Sequence, residues 1–92
     1  MNWTSVYLKT NSLNVFILGT GEVATRRADK FLSHGASVKL AGDSLDSSIE
    51  EKGAILVSTE DVDELVNWAD LVIIASGDRE LSNYVASIAD NK

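Results

Sequence analysis

The chain has 92 residues, 45% hydrophobic and 24% charged, which is the composition of one small globular domain. Fourteen acidic and eight basic side chains give a net charge of −6, against the basic stripe of a nucleic-acid binder or the polybasic patch of a membrane-surface protein. With no cysteine and a single histidine, His34, disulfides, zinc-thiolate sites, cysteine nucleophiles and histidine metal clusters are excluded.

Along the chain, short apolar runs alternate with helical patterns. Val6 to Leu8 is an ambiguous extra edge strand. Val15 to Leu18 (VFIL) is apolar throughout, the mark of a parallel strand buried on both faces. Glu22 to His34 reads as a helix with Ala24, Ala28, Phe31 and Leu32 on one stripe, an Glu22–Arg26 pair in the favourable order, and Gly35 as its stop. Ser37 to Ala41 is a second strand, less buried on the side of Lys39. Ser44 is expected to cap a short helix that turns Leu45 and Ile49 inward and ends at Gly53. Ala54 to Val57 is the third strand. Ser58 or Thr59 caps a helix with Val62, Leu65, Val66 and Ala69 inward and acids in its first turn. Leu71 to Ala75 (LVIIA) is the fourth strand, expected to be the most buried, and Asp78 to Asp90 is the last helix, with Leu81, Val85, Ile88 and Ala89 inward.

Crossovers of this length force parallel pairing and right-handed connections. The expected fold is therefore an α/β, Rossmann-like three-layer sandwich. Its four-stranded parallel sheet has order 3-2-1-4 and a switch point between the first and fourth strands. A natural fifth strand is missing or truncated, so residues 1–92 read as a single NAD(P)-binding domain, the N-terminal part of a longer enzyme. The longest apolar run, Leu71 to Ala75, is far below a membrane span, and no signal-peptide pattern opens the chain. A cytoplasmic location follows by default.

The chemistry sits at Gly19-Thr20-Gly21-Glu22-Val23-Ala24, a G-x-G-x-x-A string between a strand and a helix. Gly19 permits the tight turn, Gly21 lets backbone approach a pyrophosphate, and Ala24 lets the helix sit close on the strand. Free N–H groups at the helix start attract an anion without basic side chains, so an acidic protein can hold a dinucleotide. The alternative is a glycine turn that binds nothing, and the strand–turn–helix context weighs against it. Asp43 lies slightly beyond the usual place of a ribose-binding acid and is either that acid or a solvated loop aspartate. Ser76, Gly77 and Asp78 follow the fourth strand across the switch point, where the nicotinamide-side ribose would lie; a helix cap is compatible with that contact. Trp3, Tyr7, Trp68 and Tyr84 read as packing residues, and His34 lies at the wrong end of its helix for catalysis.

The string Gly19 to Arg27 (GTGEVATRR) resembles the G-G-G-x-V-A-x-R-K signature of the siroheme-synthase N-terminal family, with Thr20 for the middle glycine and Arg27 for the lysine. Phe31 to Leu40, Asp70 to Arg79, Leu81 to Val85 and Tyr7 to Leu13 continue the similarity in register. Members are NAD-dependent precorrin-2 dehydrogenases, often also sirohydrochlorin ferrochelatases. The resemblance implies NAD contacts at Gly21, Glu22, Val23, Asp43 and Ser44, with the loop at Ser76 to Asp78 facing the nicotinamide half. It also implies a tetrapyrrole substrate, precorrin-2, and a homodimer when full length. The family's catalytic aspartate lies in an N-V-x-D segment that this chain lacks, so no catalytic residue is assigned. The rival expectation is a nucleotide-sensing Rossmann module without chemistry.

Overall fold

The structure, a computed structural model, describes residues 13–90; the expected contributions of Val6 to Leu8, Trp3 and Tyr7 lie outside them. Strand β1 (Asn14–Leu18) pairs in parallel with β2 (Ser37–Ala41) on one side and with β4 (Leu71–Ile74) on the other; β2 pairs with β3 (Ile55–Val57). The sheet order is β3-β2-β1-β4. Register runs Val15 opposite Val38 and Leu71, and Leu18 opposite Ala41 and Ile74, so the strands end together at one edge.

The helices are α1 (Glu22–Leu32), α2 (Ser47–Glu50), α3 (Val62–Trp68) and α4 (Arg79–Asp90), with a 3-10 turn at Thr59–Asp61 ahead of α3. Because β1 side chains alternate between faces, Val15 and Ile17 pack with Ala24 and Ala28 of α1, Val38 and Leu40 of β2, and Ile49 of α2. Phe16 and Leu18 pack on the opposite face with Val62, Leu65 and Val66 of α3 and Val85 of α4. This is the three-layer sandwich, with β1 as the shared centre of both cores. Gly35 and Gly53, at positive φ, end α1 and the α2 turn as expected.

Three expectations are corrected. Fourth strand β4 is not the most buried: Leu71 and Ile74 are exposed, because the sheet order puts β4 on an edge. Ser44 does not cap α2; Asp46 does, its carboxylate accepting from the Ser48 amide at 2.9 Å. Tyr84 is not a packing residue; it is 47% exposed, and its hydroxyl donates to Asp63 at 2.7 Å, tying α4 to α3. Trp68 is half-buried, with the Lys39 ammonium 4.3 Å from its ring centroid.

Candidate dinucleotide site

The carboxyl ends of the strands and the start of α1 meet at Gly19 to Gly21. The sheet ladder carries past β1: the Gly19 amide donates to the Ala41 carbonyl and the Ala75 amide to the Leu18 carbonyl, both at 2.8 Å. Gly19 has φ +120°, and a Cβ there would overlap the Ala75 carbonyl. Only glycine lets the β1 and β4 connections approach so closely. Gly21 is different in kind. Its φ of −75° is open to any residue, and a Cβ would meet nothing within 4 Å. The space in front of Gly21 is therefore open, as a group approaching the backbone needs.

Gly21 is also the residue that precedes α1, and it offers that helix no side-chain cap. Side-chain caps are present elsewhere: Asp46 for α2, Ser58 for the 3-10 turn, and Asp78, whose carboxylate accepts from the Leu81 amide at 3.1 Å, for α4; α3, which continues the 3-10 turn, has none of its own at Asp61. The first-turn N–H groups of α1 thus face the open space with the positive end of the helix dipole behind them.

From this point a groove of about 720 Å³ runs along α1. That volume falls in the range of small-molecule sites, about 300–1,000 Å³. One wall is Thr20, Gly21, Glu22, Thr25, Arg26 and Asp29; the other is Ser44, Leu45, Asp46 and Ser48. The Arg26 guanidinium lies 3.6 Å from the Glu22 carboxylate, the expected pair. Asp29 is paired with Lys52. Asp46 is held below the ordinary carboxylate value, first by the Ser48 hydroxyl and then by the Ser48 amide.

Of the residues singled out in the sequence, Thr20, Gly21, Glu22 and Ser44 line the groove. Gly19 shapes the turn beneath it. Val23 is 54% exposed beside the same helix start but is not in the groove wall. Asp43 is exposed; its amide donates to the Thr20 hydroxyl at 3.2 Å, and it is absent from the wall. Ser76, Gly77 and Asp78 lie across the switch point, beyond Ala75, where the Ser76 hydroxyl accepts from the Asp78 amide at 3.0 Å. His34, at the far end of α1, donates from Nδ1 to the Lys30 carbonyl at 2.8 Å. Thr25, Arg26, Asp29, Leu45, Asp46 and Ser48 are wall residues that the sequence reading did not assign.

A glycine turn at the switch point of a doubly wound parallel sheet, with an open, side-chain-free helix start, defines a Rossmann-type dinucleotide-binding domain. A family model described as NAD(P)-binding matches residues 6–92, and the chain belongs to that family. Its curated relatives are siroheme synthases. That of Actinobacillus pleuropneumoniae serotype 3 (strain JL03) is 29% identical over 97 residues, covering 100% of this chain and 20% of the relative. That of Mannheimia succiniciproducens is 25% identical over 96 residues with the same coverage. The chain thus spans about a fifth of these relatives' length. Among solved structures, SirC, a precorrin-2 dehydrogenase, superposes with TM-score 0.78 at 21% identity, over 98% of this chain and 48% of that one. A D-lactate dehydrogenase from Aquifex aeolicus, complexed with NAD and lactic acid, has TM-score 0.65 at 25% identity, over 82% of this chain and 22% of that one. The chain is NAD(P)-binding by family and similar to about a fifth of the length of siroheme synthases. Among the described residues no helix is long and apolar enough to cross a membrane.

Proposed function

We propose that this chain is the cofactor-binding part of an NAD-dependent precorrin-2 dehydrogenase, acting in the cytoplasm within a homodimeric enzyme of siroheme synthesis. The observation that carries the reading is the open space at Gly21 in front of the uncapped start of α1, joined to a groove of the right size. The whole-chain similarity to siroheme synthases supports the choice of dehydrogenase over a sensor without chemistry.

Each residue has a share. The amides at Gly21, Glu22 and Val23 would bind the pyrophosphate, and Gly19 keeps that turn in place. The groove wall at Ser44 and its neighbours would hold the half of the dinucleotide on the β2 side. Ser76, Gly77 and Asp78, at the head of α4, would border the nicotinamide half; their cap hydrogen bonds fix the loop that does so. Asp43 contributes through its amide by holding Thr20 at the groove mouth. Bound there, the cofactor would supply a hydride acceptor for oxidation of precorrin-2 to sirohydrochlorin.

Calorimetric titration of NAD into the purified chain tests the reading. Saturable binding at one site per chain is the expected result. Absence of binding would overturn it.

A further inference from the structure

The tie between β1 and β2 continues past the point where their backbones part. Its last main-chain rung runs from the Gly19 amide to the Ala41 carbonyl at 2.8 Å. The next rung is made by a side chain: the Thr20 hydroxyl oxygen accepts from the Asp43 amide at 3.2 Å. A second contact lies beside it. Gly42 is not at positive φ, so its backbone would admit any residue, yet a Cβ there would come within 2.5 Å of the Thr20 hydroxyl oxygen and 2.6 Å of its methyl carbon. The glycine at 42 thus makes room for the side chain at 20.

These contacts join the two walls of the groove. Thr20 is half-buried and belongs to the α1 wall, while Ser44 and Leu45 of the facing wall lie in the connection from β2 to α2. Among the described residues, the Thr20–Asp43 bond is the one hydrogen bond that holds residues 42–45 to the rest of the protein. Threonine suits the task because its hydroxyl can accept from an amide and its branched Cβ restricts the side chain to few orientations. The middle glycine of the signature that this string resembles has no side chain to do either, so the strut belongs to this chain's departure from the signature.

We propose, resting on the dinucleotide reading of the groove, that Thr20 is a positioning residue: acting through the Asp43 amide and Gly42, it sets the β2-side wall at the distance from the glycine turn at which the adenosine half binds. Loss of one such hydrogen bond corresponds to an affinity change of about three- to tenfold.

Calorimetric titration of NAD, adenosine diphosphate and nicotinamide mononucleotide into wild type, Thr20→Val, Thr20→Ser and Gly42→Ala separates this role from a merely structural one. Valine keeps the shape and removes the acceptor; serine keeps the acceptor. Alanine at 42 displaces Thr20 from the loop side, so the result does not hang on the folding of one variant, and a thermal melt checks each. Expected are affinities for NAD and adenosine diphosphate about three- to tenfold lower in Thr20→Val and Gly42→Ala, an unchanged affinity for nicotinamide mononucleotide, and wild-type values in Thr20→Ser. Wild-type affinity for NAD in folded Thr20→Val, or in Gly42→Ala should Thr20→Val not fold, overturns the role of Thr20 and leaves the site standing. An equal loss in Thr20→Ser overturns it too, as does an equal loss for adenosine diphosphate and nicotinamide mononucleotide, the mark of a general disturbance. Failure of wild type to bind NAD overturns the dinucleotide reading and the role of Thr20 with it.

Discussion

Gly19 and Gly21 stand two residues apart in one turn and answer to different constraints. Gly19 is required by the fold: its φ of +120° is strained for any side chain, and the Ala75 carbonyl occupies the place of its Cβ. Gly21 is not required by the fold, since its backbone is ordinary and its surroundings are empty. A glycine at a place where the protein itself would accept a side chain leaves that space free for a group approaching from outside. Gly19→Ala should therefore cost about 1–3 kcal/mol of stability from backbone strain alone, read as a lower urea midpoint with unchanged slope. A midpoint equal to wild type would show that the β1 and β4 connections have room to separate.

At the scale of elements, the groove depends on how α2 is held. This helix has only four residues, too few to be stable by itself. It stays in place through Ile49, buried between β2 and α1, and through its Asp46 cap. Ile49→Ala should cost about 2–5 kcal/mol by the usual measure of large-to-small core substitutions, and should also weaken NAD binding by loosening one groove wall. Loss of stability with unchanged affinity in the remaining folded protein would separate α2 from the site. On the other face, the Tyr84 hydroxyl bonded to Asp63 joins α3 and α4, and that bond raises the phenol above its ordinary value of 10.0. The bond is present below the unfolded value and is lost as pH rises through the higher folded one, so its contribution to stability disappears at alkaline pH. Spectroscopic titration should show one tyrosine ionising late, and Asp63→Asn should bring it back toward 10.0. A late tyrosine that persists in Asp63→Asn would assign the shift to some other group.

For the molecule as a whole, β1 unites the two cores and delivers its end to the site. That much was legible in the sequence, because VFIL has no polar face and its successor, GTGEVA, has a spacing that serves a strand–turn–helix junction. The sheet order followed from crossover length and handedness, and it holds throughout. The burial of β4 was misread because an apolar run reports that a strand can be buried, not which strand ends the sheet. The start of α2 was misread because Ser44, Asp46, Ser47 and Ser48 are all acceptable caps; the fixed position of Ile49 in the core selects Asp46. The groove itself was only half legible. Glu22, Thr25, Arg26 and Asp29 fall at helical spacing on one face of α1, a signal present in the sequence, but the opposing wall comes from a loop whose approach only the fold reveals.

The net charge of −6 gives the molecule no general attraction for an anion, so the central claim is that backbone, not basic side chains, binds the pyrophosphate. Gly21→Val tests it most directly, because a side chain there fills only the space assigned to the ligand. Calorimetry with NAD and a urea melt on the same sample give both readings. A urea midpoint near that of wild type and no detectable binding are expected. Wild-type affinity for NAD in the folded variant would contradict it.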